Sequence, residues 1–383
     1  MQLVKINNNF YQIYSKYLFY LLMFCIPLKL SVSYGLYFIL FLSCFAFNLS
    51  KDRLQSFYKQ NSYLISIWFC FLIILFLSVP FGISIQNSFV ELLKLSFYSL
   101  AIFVFYDLCS RFNTFKAVIC LLIGQAIAAA HSILEYLYPE EIKRIFIGTL
   151  TESGQIGLTL ILGLSIIAFL SKNFKTNFKK TTPIFLLVII IFFALILNLK
   201  RGPFLGIFFA GLFYLFLVNK KYCFYFVVLI CTPIVFIGNL RERFLNSVEH
   251  FFIIGGRSEI WEIGLELASK FPLGIGFGNS YFLRSYSNTI PPELVHFHNT
   301  YLNILVEGGV LSLLVFLWFF YTIFRLSLQN LKINSFLTLG AGSALFSWLI
   351  AGLFEYNFGD SEIMLIVYFV IGLILSKQKQ IGT

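Results

Sequence analysis

Three side chains in this sequence have the greatest chemical reach: Arg201, Arg257 and His298. Arg201 lies in Asn198-Leu199-Lys200-Arg201-Gly202-Pro203, a short polar turn between two very apolar runs, with Pro203 suited to the first turn of a helix. A guanidinium is planar, permanently charged and forked, so it suits a phosphate bidentately, and Lys200 adds a second cation beside it. The competing reading is an anchor snorkelling to the membrane–water boundary, because an Arg at the bilayer centre costs about 2.5–3.5 kcal/mol even on the mild insertion scale. Arg257 follows Gly255-Gly256, which lets the backbone approach a ligand or a neighbouring loop closely; its plainer reading is an ion pair with one of the adjacent glutamates, such as Glu259. Two arginines without an Asp-x-Asp pair point to a metal-free way of holding a diphosphate.

His298 stands where a long polar segment enters an apolar helix. An unperturbed imidazole accepts a proton near pH 6.5, which suits a general base at neutral pH; the alternative is a structural histidine, the reading given to His250 and His296. Asn299, Asn303 and Glu307 follow at helical spacing and make a polar stripe running into the apolar stretch, with Tyr301 beside it. They are expected to bind substrate, as are Lys143, Arg144 and Asp360; for Asp360 a solvated outer-loop carboxylate is the alternative. His131 and Glu135, four residues apart, either pair with each other or mark a further functional spot. Gly274-Ile275-Gly276-Phe277-Gly278 superficially resembles a dinucleotide fingerprint, but no βαβ unit surrounds it, and a plain turn is the expectation.

The elements that must position these residues are helices in a membrane. Of 383 residues, 59% are hydrophobic and 12% charged, an apolar share beyond that of soluble domains. About twelve transmembrane helices are expected, near 14–29, 33–48, 62–81, 91–109, 116–137, 153–171, 183–199, 203–218, 222–238, 300–324, 335–355 and 362–376. The expected fold is all-α, one integral-membrane domain over 1–383, with a long loop at 239–299 between the ninth and tenth helices. Arg257 to Leu267 puts Glu259, Glu262 and Glu266 on one helical face, so a short helix lying in the interface, with Trp261 at headgroup depth, is expected there.

The net charge of +11 sits in small groups between apolar runs, which speaks for orientation signals and against a nucleic-acid partner. With the N-terminus inside, Lys51, Arg53, Lys59, Arg111, Lys116, Lys179, Lys180, Lys220, Lys221, Arg325 and Lys332 fall in cytoplasmic loops, opposed there by Asp52 and Asp107. Both termini are then cytoplasmic and the long loop lies outside, together with Arg201 and Asp360. The N-terminal run carries no cleavage pattern, so the first helix is expected to be its own signal anchor. The seven cysteines lie in or beside apolar runs and read as small core residues. Short basic loops leave no room for a nucleotide-binding domain, and no cofactor is expected.

The succession Lys200-Arg201-Gly202, Arg257-Ser258-Glu259-Ile260-Trp261, Pro272-Leu273-Gly274-Ile275-Gly276, His298-Asn299-Thr300-Tyr301 and Glu307-Gly308-Gly309 resembles the O-antigen ligase and polymerase superfamily of bacterial membrane glycosyltransferases. The resemblance covers roughly 140–370. It implies metal- and ATP-independent transfer of glycan from undecaprenyl diphosphate at the periplasmic face of the inner membrane. In the ligases the acceptor is a sugar hydroxyl of lipid A-core; in the polymerases it is another lipid-linked repeat. By motif position, Arg201 and Arg257 would hold the diphosphate and His298 would act at the acceptor hydroxyl. A flippase for a lipid-linked anion, or a non-catalytic scaffold, is the rival of another class. The sidedness is directly testable: in a cysteine-free background, Ser247→Cys should react with an impermeant thiol reagent added outside, and Asn177→Cys should not; the reverse pattern refutes it.

Overall fold

The computed structural model describes residues 2–44, 51–139, 153–171, 174–246, 251–252, 257–280, 295–329 and 336–378. Among the described residues fifteen α-helices follow in order: α1 (Gln2–Cys25), α2 (Leu30–Ser43), α3 (Lys51–Ser78), α4 (Ile85–Ser99), α5 (Ala101–Arg111), α6 (Thr114–Leu137), α7 (Ser153–Ser171), α8 (Phe174–Asn198), α9 (Arg201–Val218), α10 (Lys221–Phe236), α11 (Gly238–Leu245), α12 (Arg257–Lys270), α13 (Thr300–Gln329), α14 (Phe336–Ala351) and α15 (Ser361–Ser376). The described residues contain no strand. Ser84 and Asn113 cap α4 and α6 by accepting from the amides of Asn87 and Lys116. Helices satisfy their own backbone groups, which is what apolar surroundings demand.

Every apolar segment expected from the sequence overlaps a helix, but the division into spans differs from the expectation. Among the described residues, five helical stretches are long and apolar enough to cross a membrane: Gln55–Phe81, Ile85–Arg111, Thr114–Leu137, Arg201–Val218 and Thr300–Gln329. A sixth arises if α10 and α11, bent by 96°, count as one. At 16 residues each, α14 and α15 are about 24 Å long, short of the roughly 30 Å of a hydrocarbon core. The stretch expected at 91–109 falls within Ile85–Arg111, with a turn at Leu100, whereas the one expected to begin at Pro183 instead starts at Phe174 and carries that proline inside α8.

Around the core, α14 packs on α7 and α9, α15 on α5, α3 on α13, and α8 on α6 and α7. Phe71, Phe105, Phe316, Phe369 and Trp348 are among the fully buried side chains. The outside is apolar as well: Phe69, Phe76, Phe224, Tyr225 and Phe236 are exposed. Apolar surface inside and out is the mark of an integral membrane protein.

Polar contacts sort the connections into two ends. At one, Tyr34 donates to the Ser361 carbonyl (3.1 Å), Asn87 to the Gly278 carbonyl (2.8 Å) and Asn279 to Ser88 Oγ (2.8 Å), while Gly202 lies against Phe354 and Ala351. At the other, Arg111 pairs with Asp107, Cys44 donates to the same carboxylate (3.7 Å), and Tyr106 donates to Gln60 (2.9 Å).

A glycine seam fixes this end. The turn after α12 crosses α13 where that helix breaks: Ile275 N donates to the Val306 carbonyl (2.9 Å), and Gly309 inside α13 takes φ 80° and ψ 177°. A Cβ on Gly309 would lie 2.4 Å from the Pro272 carbonyl oxygen, and one on Gly274 2.3 Å from that of Glu307. This conformation is close to glycine-only. Gly309→Ala should therefore lower stability by about 1–3 kcal/mol or more. Gly35→Ala, in α2 with nothing near its Cβ, should be neutral or stabilising. Thermal melting of detergent-solubilised protein checks the pair; equal midpoints would refute the seam.

Candidate functional site

The site is assembled where α9, α12, α13 and the turn after α14 meet. The start of α13 is tied to that turn: Thr300 N donates to the Gly352 carbonyl (2.8 Å), and Thr300 Oγ1 lies 3.0 Å from the Glu355 carbonyl and 2.9 Å from Asn357 Oδ1. Tyr301 donates to the Leu349 carbonyl (2.6 Å). Glu355 is thereby brought beside α12, where its Oε1 stands 3.9 Å from Arg257 Nη2. The partner of Arg257 is thus Glu355 from a distant turn, not the neighbouring Glu259 that the sequence suggests.

Arg201 opens α9, with Lys200 at the cap position. Arg201 feels the charges of Arg257 and Arg243, and both Lys200 and Arg257 act on His298. The structure therefore brings Lys200, Arg201, Arg257 and His298 together. Two backbone outliers sit at the same place: Leu199 (φ 54°) and His298 (φ 49°), the positive-φ non-glycine residues of the described chain. Such conformations are uncommon for L-residues, cost of order 1–3 kcal/mol each, and gather at functional sites.

His298 packs edge-on to His296 with ring centroids 4.3 Å apart, and its amide donates to His296 Nδ1 (3.2 Å). Burial, followed by the His298 charge, pulls His296 down to about 4. Burial also lowers His298 below the ordinary histidine value, and Arg257 and Lys200 lower it further. Both imidazoles are therefore neutral at pH 7, and a neutral imidazole can accept a proton.

The polar stripe serves the architecture. Asn299 caps α13, its Oδ1 accepting from the amides of Tyr301 (2.9 Å) and Leu302 (3.0 Å). Asn303, wholly buried, accepts from the Phe297 amide (2.8 Å) and donates to Ser280 Oγ (3.3 Å). Glu307, also wholly buried, accepts from the Ser280 amide (3.0 Å). These groups, with Tyr301, make hydrogen bonds within the protein that hold the segment in place. Asp360 sits at the cap position of α15 without a side-chain capping bond and lines a cavity. Lys143 and Arg144, like His250 and Arg284, lie outside the described residues. His131 and Glu135 are on α6, outside this cluster.

The helix expected around Trp261 exists as α12, and what it packs on is now visible. Ile260 and Leu267 join Ile275, Phe297, Leu302 and Val306 in a small apolar cluster, and Trp261 Nε1 donates to the Phe297 carbonyl (3.1 Å). Trp261 thus secures the residue before His298. Sequence reasoning missed His296 as a site residue and Glu355 as the partner of Arg257. An Asn just before a helical apolar run is, by contrast, a readable cap signal.

A helical bundle with an apolar exterior and a cationic, histidine-bearing polar end is that of an integral membrane protein. Residues 185–317 match the family model described as O-antigen ligase, in agreement with the superfamily resemblance read from the motifs. The matched stretch runs from within α8 into α13 and contains Arg201, Arg257, His298 and Glu307. It supports an O-antigen ligase or polymerase type of membrane glycosyltransferase in general. No curated protein matches the chain.

The electrostatics make a prediction independent of catalysis. In a spectrum of ring-labelled protein, His298 should titrate below the usual 6.5, staying neutral until the pH falls past that point. Lys200→Gln removes one of the charges opposing protonation, so its midpoint should move up. An unmoved midpoint, or one above 6.5 in the wild type, would refute the arrangement.

Proposed function

We propose that the protein is an O-antigen ligase, transferring glycan from undecaprenyl diphosphate to a sugar hydroxyl of lipid A-core at the periplasmic face of the inner membrane. The observation that carries this reading is that Lys200 and Arg257 act on His298 and Arg201 is within the field of Arg257, all inside the stretch that matches the ligase family. The guanidinium groups neutralise the diphosphate as it leaves, each offering a fork that fits phosphate oxygens. The neutral His298 takes the proton of the attacking hydroxyl. The hydroxyl oxygen bonds to the anomeric carbon as the bond from that carbon to the phosphate oxygen breaks, with inversion; undecaprenyl diphosphate departs with the electron pair. Neither ATP nor a metal enters the scheme.

The membrane arrangement follows the same reading: twelve crossings, both termini cytoplasmic, and the 239–299 loop periplasmic. The gathering of alternate connections at opposite ends of the bundle supports it. A polymerase, extending lipid-linked repeats, is the second reading, because the matched stretch serves that acceptor equally well. Lys143, Arg144 and Asp360 remain proposed contacts for substrate.

Purified protein in lipid, given undecaprenyl-diphosphate glycan and lipid A-core, should yield glycosylated lipid A-core without ATP or added metal. Elongated glycan on the lipid carrier would replace ligase by polymerase. Transfer of the intact donor across a liposome with no bond broken, insensitive to His298→Ala, would make the protein a flippase. Arg201→Lys keeps the charge but loses the fork, so turnover should fall at least about tenfold while insertion is normal. His298→Ala should lower turnover by about 10²–10⁴. Full activity in either variant would remove that residue from the mechanism.

A further inference from the structure

The least usual hydrogen bond at the cationic site is the one made by the His298 amide. The peptide groups on either side are held by side chains that do not titrate. The Phe297 amide donates to Asn303 Oδ1 (2.8 Å), the Phe297 carbonyl accepts from Trp261 Nε1 (3.1 Å), and Asn299 Oδ1 takes the amides of Tyr301 and Leu302. The His298 amide instead donates to Nδ1 of His296, two residues back, at 3.2 Å. Phe297, between the two histidines, is wholly buried in the apolar cluster with Ile260 and Leu267.

The bond falls where the chain needs one. His298 takes φ 49°, a conformation that an L-residue keeps only when its surroundings over-determine it. A part-buried amide without an acceptor is costly, so the partner it finds helps to fix this conformation. The His296 ring also stands edge-on to the His298 ring, with centroids 4.3 Å apart and planes at 81°. One side chain thus holds His298 at two points, by its amide and by its ring.

An imidazole nitrogen accepts only through a free lone pair, so this bond requires a bare Nδ1 and a ring proton on Nε2. The groups facing the ring favour that form. Burial, then the charges of His298 and Arg257, oppose a second proton on His296, and they outweigh Glu355 and the residue's own carbonyl, which favour one. A proton on Nδ1 would meet the amide proton of His298 across the same gap.

We propose that His296 is a positioning residue for His298: its Nδ1 accepts the His298 amide and its ring braces the second imidazole, so that the left-handed backbone presents His298 to the acceptor hydroxyl. The catalytic consequence rests on the reading of the protein as a glycosyltransferase; the two-point hold does not.

Asparagine and leucine separate the bond from the bulk. In His296→Asn an oxygen on Cγ takes the place of Nδ1 and can accept the same amide; in His296→Leu a methyl group stands there. With full-length protein in nanodiscs, His296→Leu should lower turnover by about tenfold or more and change KM by less than about twofold, because a misaimed base costs turnover rather than binding. His296→Asn should recover most of that loss. The His298 amide proton should exchange slowly in wild type and in His296→Asn, and faster in His296→Leu. Turnover in His296→Leu equal to wild type, or an asparagine variant no better than the leucine one, overturns the proposal. The tautomer is read on wild type and needs no variant: ring-labelled protein near pH 7 should show His296 with its proton on Nε2, and a proton on Nδ1 overturns the hold even if both variants misfold. If wild type transfers no glycan, the glycosyltransferase reading falls, while the tautomer and the exchange pattern still decide whether His296 holds His298.

Discussion

The closest approach of two backbones in the site region, at the seam between the turn after α12 and the break in α13, is the constraint on which the rest depends. The Gly274 and Gly309 backbones come too near each other's segments for any side chain, and the hydrogen bond from Ile275 to Val306 joins them. A helix interrupted in apolar surroundings must satisfy the carbonyls it releases. Ser312 does so, its hydroxyl lying 2.7 Å from the Gly309 carbonyl and 3.1 Å from that of Ile304. With the seam closed, Ser280 falls over Glu307 and Phe297 over Asn303, and the chain arrives at His298 in a left-handed conformation.

The polar residues at this end divide by task. Asn299, Thr300, Tyr301 and Asn303 form a scaffold whose hydrogen bonds are made within the protein. Lys200, Arg201, Arg257 and His298 form a charged front, where mutual repulsion and burial keep the imidazole neutral. Trp261 links the two groups, since its indole holds the Phe297 carbonyl next to His298. Leu199 and His298 carry backbone strain at the two ends of the front, and the surrounding hydrogen bonds hold them in it.

What the sequence made legible was the charged front, because Arg201, Arg257 and His298 stand out by type in a chain that is otherwise apolar. The helices were legible for the same reason, down to nearly every apolar segment. Three things were not. The turn at Leu100, within the Ile85–Arg111 stretch, leaves no compositional trace, since apolar residues continue through it. The partner of Arg257 could not be read, because Glu259 is the nearer glutamate in sequence while the fold delivers Glu355. The stripe at Asn299, Asn303 and Glu307 was legible as a stripe but not in its internal partners, Ser280 and Phe297, since helical spacing says which residues share a face and nothing about what closes over that face.

The pair between Arg257 and Glu355 has one further consequence. At 3.9 Å and with 35% and 25% of the two side chains exposed, it is loose and within reach of solvent. A contact of that kind contributes about 0–1 kcal/mol, so little is lost when it opens. On the proposed function, an anion drawn to Arg257 would therefore have only a weakly held carboxylate to displace.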